Sequence, residues 1–385
     1  MNTAEQADQL PTNETRFLEG GRYELLERIG RGSAGDVYRA RECGLVFPRE
    51  VCIKRLALVS GPEQVRAMRE EARLLARVRH SNVVSLLAMG EEPGNVPFLV
   101  LELVRGWNLR TLCRRLDADR LAGGASAVPP PSDGGRSRVH EPRGPNRAAG
   151  GSPATGHGSP RAAPEGHPAL PAEWMRERSV PAIRPIRAAG FLPDLLAVHV
   201  VCGVLRALGA VQRAVPGLVH RDVTPHNVLV SKEGEVKLTD FGIALALDRT
   251  RWTRPRFIKG KFGFMAPEQI RGERLDLRTD LFAVGVTLYE LLTRTRPWGT
   301  LRPMEELHAI ESGDIAPIST YRPKLDRSLC DAVDRLLAWR MKDRFSSFDD
   351  ALRALAPHSA GDLGPLRLTV LVASASMGEC EATGR

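Results

Sequence analysis

Two short motifs thirteen residues apart constrain this chain more than any property of its composition. The first is His220-Arg221-Asp222-Val223-Thr224-Pro225-His226-Asn227, and the second is Asp240-Phe241-Gly242. Between them lie two short apolar runs, residues 228–230 and 236–238, which read as strands joined by a turn. Such a hairpin brings the Asn227 amide and the Asp240 carboxylate to one point. Hard oxygen donors meeting there suit a magnesium ion that bridges phosphates.

The N-terminal part supplies a second constellation. Residues 22–56 read as strand, glycine turn, strand, loop, strand, with Gly30, Gly32 and Gly35 following Ile29. Glycines let backbone N–H groups approach phosphates closely. A dinucleotide-binding turn has the same G-x-G-x-x-G letters, but its third glycine opens a helix; here Val37-Tyr38-Arg39-Ala40 continues as a strand. The next strand, Val51-Cys52-Ile53-Lys54, carries the only lysine in residues 1–231. Only seven of the 55 basic residues are lysines, so Lys54 calls for a chemical reason. A compact ammonium fits between adjacent phosphates better than a planar guanidinium does. A helix opened by Pro62 follows, with Val65, Met68, Ala72 and Leu75 on one stripe. At 100° per residue Glu71 lies about 80° from the centre of that stripe and Glu70 lies roughly opposite it, so Glu71 is the expected partner of Lys54.

The rest of the chain divides by composition. Residues 98–104 read as a strand and residues 109–116 as a short helix. Residues 121–190 then hold twelve prolines and eleven glycines with no surviving period, and read as a disordered insertion. An apolar helix over 192–215 and helical patterns over 280–293 and 325–355 make the second half mainly helical. Residues 1–21 read as a polar N-terminal segment and 358–385 as a short tail. Six scattered cysteines without CxxC spacing argue against a disulfide framework or a zinc site and point to a reducing cytoplasm. No segment approaches the roughly 20 apolar residues of a membrane span. The net charge of +9 is spread thinly and aromatic residues make up 5%, so nucleic acid is not expected as a partner. No pattern in the chain speaks to oligomeric state.

Taken with these motifs, the chain resembles the protein-kinase superfamily, and its Pro-His-Asn loop is similar to that of bacterial eukaryotic-like (Hanks-type) serine/threonine kinases. The resemblance covers residues 23–357 apart from the insertion. It implies an α+β bilobal fold: a small antiparallel-sheet lobe with one helix over about 22–104, and a mainly helical lobe over about 191–357. It implies ATP and Mg2+ as cofactors and protein substrates as partners. By motif, Lys54 holds the α and β phosphates and Glu71 positions it. Asp222 orients the substrate hydroxyl and accepts its proton, while Asn227 and Asp240 bind magnesium. Ile29, Gly30, Gly32, Gly35 and Val37 cover the nucleotide. Glu102 and Val104 offer backbone to adenine behind a bulky Leu101, and Cys52 and Leu229 sandwich the base. Ala266-Pro267-Glu268 closes the activation segment, Arg344 is the expected partner of Glu268, and Asp280 supports the catalytic loop.

Two alternatives belong to other classes, an interaction scaffold that kept the fold without the chemistry and a small-molecule kinase. The first has no need of Lys54, Glu71, Asp222, Asn227 and Asp240 together, and the second has no need of the peptide-docking segment ending at Glu268. Thr224 stands where serine/threonine kinases usually carry lysine, and Lys261 stands where they usually carry threonine. This reads as an exchanged pair, and it leaves tyrosine or dual specificity open. Residues 249–261 hold six basic residues and no acid, which makes Thr250 or Thr253 the expected site of autophosphorylation.

Overall fold

In a computed structural model the protein is described over residues 17–32, 35–44, 46–56, 61–122, 192–241, 262–298, 301, 303–313 and 315–382. Gly242, Thr250, Thr253, Lys261 and nearly all of the expected insertion therefore lie outside the described residues.

The first lobe is a six-stranded antiparallel sheet in the order β1-β2-β3-β4-β6-β5. Its strands are β1 (Phe17–Leu18), β2 (Tyr23–Gly32), β3 (Gly35–Glu42), β4 (Arg49–Arg55), β5 (Leu86–Glu92) and β6 (Val96–Glu102). The strand expected over 98–104 ends at Glu102, and β5 has no counterpart in the sequence reading. Residues 17–18, assigned there to a polar leading segment, pair with β2 and bury Leu18.

Each face of this sheet carries buried apolar side chains, and the two-residue period sorts them between the two. Val51 and Ile53 of β4 join Tyr23, Leu25, Ala40, Phe98 and Val100 in an outer core. Leu99 and Leu101 of β6 turn the other way, toward helix α1 (Pro62–Leu75) and the main core that continues into the second lobe. Cys52 and Lys54 alternate with Val51 and Ile53, so they lie on this second face. Gly35 is required where the glycine turn closes: it has φ 135°, and a Cβ there would sit 1.8 Å from the Arg55 carbonyl oxygen.

The second lobe is organised round α3 (Asp194–Ala214), opened by Pro193. Fourteen of its 21 residues are buried, so it is apolar on all sides and wrapped by other elements. By length and composition α3 could cross a membrane, which corrects the expectation that no segment approaches span length; 78% of its apolar window is buried inside the fold. The small sheet β7-β8-β9 (Gly106–Asn108, Val228–Ser231, Val236–Leu238) lies against it. Helix α2 (Leu109–Ala122) runs past the expected start of the insertion. The lobe is completed by α4 (Leu277–Thr293), α5 (Pro303–Ser312), α6 (Arg327–Leu336) and α7 (Phe348–Leu355). The segment expected as a tail carries α8 (Gly364–Ala382), which buries Leu368, Val372 and Ala375.

Candidate active site

Strand register assembles the upper wall. Val37 pairs with Lys54 across β3–β4, and Lys54 and Cys52 pair with Leu99 and Leu101 across β4–β6. Directly opposed residues share a face. Val37, Cys52, Lys54 and Leu101 therefore form one row, with Ile29 and Gly30 at its edge, where Gly30 pairs with Val37. Gly32 pairs with Gly35 at the turn. Burial pushes the Cys52 thiol up to about 12, with Asp240 adding to the shift, so this position is a neutral, apolar surface.

Lys54 is the centre of charge. Its Nζ donates to both Glu71 carboxylate oxygens at 2.9 Å and to Asp240 Oδ1 at 2.8 Å, which engages all three ammonium donors. It is Glu71 that reaches Lys54; Glu70 lies on the outer face and pairs with Arg73. Burial alone would push the Lys54 pKa down, but the Asp240 and Glu71 carboxylates outweigh it and hold the ammonium charged. The side chains of Lys54 and Glu71 are 7% and 9% exposed, whereas that of Asp240 is 43% exposed. The open side of the cluster is thus a carboxylate.

The catalytic loop supplies the second group. Asn227 Nδ2 donates to the Asp222 carbonyl at 2.8 Å and to Asp222 Oδ2 at 2.9 Å. Thr239 N donates to the Asn227 carbonyl at 3.0 Å, tying the base of the Asp240 segment to this loop. With its amide nitrogen engaged, Asn227 has its oxygen left for a cation. Together with the half-exposed Asp240 carboxylate it gives a hard-oxygen donor set, and a magnesium ion held there would take its remaining ligands from phosphate and water. Among the described residues no cluster of three or more His, Cys, Asp or Glu could hold a metal without such help.

This loop is held in an unfavourable backbone conformation by buried partners. Arg221 and Asp240 both have positive φ, 68° and 56°, a region that costs of order 1–3 kcal/mol for a non-glycine residue. Asp280 accepts the His220 and Arg221 amides, both at 2.8 Å, and Gln269 Nε2 donates to the Arg221 carbonyl at 3.2 Å. Burial pushes the Asp280 carboxyl up to about 7 against those two amides. His220 Nδ1 accepts the Asp222 amide, so Nε2 carries the proton and donates to the Thr239 carbonyl. Burial depresses this imidazole to about 4, which keeps it neutral.

Behind the loop, Arg344 meets Glu268 at 2.7 and 2.9 Å and gives its remaining donors to the carbonyls of Ala338, Arg278 and Trp339. Leu229 lies half-buried on β8, and Val104 is half-buried just beyond β6. Thr224 is buried, and among the described residues its hydroxyl has no hydrogen-bond partner.

One charged pairing beside the site escaped the sequence reading. Lys237 Nζ donates to both Glu102 carboxylate oxygens at 3.1 and 3.2 Å, and Glu102 Oε1 also accepts the Ser85 amide at 2.8 Å. Lysine scarcity, the signal that singled out Lys54, also marks Lys237.

A model of the protein tyrosine and serine/threonine kinase family matches residues 23–347. The chain belongs to this family. Similar curated proteins include the tyrosine-protein kinase MasK of Myxococcus xanthus, 29% identical over 348 residues and covering 89% of this chain and 44% of that protein. Two others are the probable serine/threonine-protein kinase PknB of Bifidobacterium longum, 27% identical over 75% of this chain and 32% of that protein, and the serine/threonine-protein kinase PrkC of Bacillus subtilis, 27% identical over 72% and 31%. These relatives bear out the resemblance to bacterial eukaryotic-like kinases. The chain spans less than half the length of each of these three. The crystal structure of the Mycobacterium tuberculosis PknI kinase domain has the same fold, with a TM-score of 0.52, 22% identity, and coverage of 88% of this chain and 96% of that one.

Proposed function

We propose that this protein transfers the γ-phosphate of ATP, in the presence of magnesium, to hydroxyl groups of protein substrates, with serine or threonine as the acceptor. The observation that carries the reading is the single cluster in which Lys54 bonds Glu71 and Asp240 while Asn227 bonds Asp222. In this reading Lys54, aimed by Glu71, exchanges Asp240 for the α and β phosphates when nucleotide enters. Bound magnesium supplies charge neutralisation on the phosphates, held through Asn227 and Asp240. Asp222 orients the acceptor hydroxyl and takes its proton. The adenine lies between Cys52 and Leu229 with its edge toward the backbone of Glu102 and Val104, and Ile29, Gly30, Gly32, Gly35 and Val37 cover the phosphates. Five free cysteines among the described residues fit a reducing, cytoplasmic setting for this work.

The domain organisation proposed with this function is one kinase domain over 22–357, interrupted by an insertion at about 121–190. Autophosphorylation is proposed at Thr250 or Thr253. Tyrosine or dual specificity is the second reading, favoured by the similarity to a protein named as a tyrosine kinase and by Thr224 in the place of lysine. Incubation with labelled ATP and magnesium followed by phosphoamino-acid analysis tests both. Phosphoserine or phosphothreonine that disappears in Asp222→Asn supports the first reading, phosphotyrosine alone supports the second, and label that persists in Asp222→Asn overturns the assignment of the base.

A further inference from the structure

A cavity of about 820 Å³ is bounded by the end of α1, the loop after it, β5, Arg49 of β4 and Lys237 of β9. That volume is ordinary for a small-molecule site. Its wall holds three permanent cations, Arg49, Arg79 and Lys237, and no aspartate or glutamate. Among the described residues Arg79 has no ion-pair partner, whereas Arg49 bonds Glu42 at 2.7 Å and Lys237 bonds Glu102. His80 Nδ1 accepts the Asn82 amide at 3.1 Å, which leaves its Nε2–H as a further donor. Val78 and Leu86 add an aliphatic floor. Cations and donors around an apolar floor match an anion attached to an apolar body, with Arg79 the cation not already held by a carboxylate.

We propose that this cavity binds a small organic anion, an aryl or acyl carboxylate, and that its occupancy is felt at the nucleotide. The connection is short. Lys237 at the wall is the cation that holds the Glu102 carboxylate, and Ser85 at the wall is bonded to Glu102 twice, by its amide to the side chain at 2.8 Å and by its carbonyl to the Glu102 amide at 3.0 Å. A carboxylate drawn to Lys237 competes directly with Glu102 for that ammonium. This second half rests on the reading of Glu102 backbone as an adenine contact. Coupling between two such sites is reciprocal: whatever the anion does to nucleotide affinity, nucleotide does to the anion.

Isothermal titration of the full chain with 1-naphthoate, with 1-naphthamide as the uncharged control, tests the site, each in the absence and presence of saturating AMP-PNP and magnesium. Naphthoate is expected to bind in both conditions, with its affinity shifted severalfold by the nucleotide. The amide is expected to bind about tenfold more weakly, and Arg79→Gln to weaken naphthoate by about tenfold, the cost of one charge-assisted hydrogen bond. The urea midpoint of Arg79→Gln checks that the variant is folded. Equal binding of acid and amide, indifference to Arg79→Gln, or abolition of naphthoate binding by AMP-PNP would each overturn the site. Failure of AMP-PNP to bind at all would remove the nucleotide reading and the coupling with it, while the naphthoate and Arg79→Gln arms still decide the cavity.

Discussion

The protein buries two ion-paired clusters that look alike in sequence and differ in construction. Glu268 and Arg344 are 2% and 0% exposed, and each of the five guanidinium donors has a carboxylate or carbonyl partner. Lys54 is equally saturated, but one of its two partners, Asp240, is 43% exposed and comes from the other lobe. Burial without an opening makes a charge pair a fixture, because breaking it strands a charge in low dielectric. An opening on one side lets a ligand take the place of a partner, because the displaced carboxylate is solvated or meets a cation. In the proposed function the first cluster acts as an anchor and the second as a seat for exchange.

Removing the anchor should have the largest effect. Arg344→Leu is expected to lower unfolding stability by about 3–5 kcal/mol, read as a fall in the urea midpoint at unchanged slope, because Glu268 is left buried without a partner. A loss under about 1 kcal/mol would mean that the two clusters do not differ as described. Lys54→Met also leaves a buried carboxylate, Glu71, without its partner, so the urea midpoint should fall too. The fall should be smaller than in Arg344→Leu, because burial already raises the Glu71 pKa and the carboxyl can protonate. In the same variant kcat should fall by about 10²–10³, equivalent to about 3–4 kcal/mol in the barrier. Normal turnover with a collapsed midpoint would reverse the comparison.

A smaller effect, outside both clusters, depends on pH. Because the folded His220 pKa is depressed to about 4 from its ordinary 6.5, the unfolded chain binds a proton that the folded chain refuses between these values. Its contribution is fully present above pH 6.5 and is lost as pH falls toward 4. Asp280, held up at about 7, works in the opposite sense over part of the same range, so the difference between wild type and His220→Phe isolates the histidine. That difference should change by about 2–3 kcal/mol between pH 7 and 4.5, and a pH-independent difference would show that burial does not hold the ring neutral. The smallest change is expected from replacing residues 123–191 by a short Gly/Ser loop, which removes no residue of either cluster. Turnover should stay within about twofold, since loop length enters stability only logarithmically.

The amino-acid sequence by itself determined the parts whose signal is local. Glycine at 30, 32 and 35, an isolated lysine at 54, and the paired motifs at 220–227 and 240–242 are short-range patterns, and helix periodicity was enough to choose Glu71 over Glu70 for Lys54. Apolar runs located β4, β8, β9 and α3 nearly to the residue, because a fully buried element needs apolar side chains along its whole length. Tertiary structure alone decided the rest. Strand β5, Leu-Leu-Ala-Met-Gly-Glu-Glu, has weak strand chemistry and forms because β6 offers it an edge. Residues 17–18 are ordered by pairing with the strand that follows them, and helix α8 by packing on neighbours far away in the chain. The positive φ of Arg221, the pairing of Lys237 with Glu102 across 135 residues, and the acid-free cavity beside them have no local signature. Each arises from segments distant in sequence that meet only when the chain has folded, so no window along the sequence could contain both halves of the interaction.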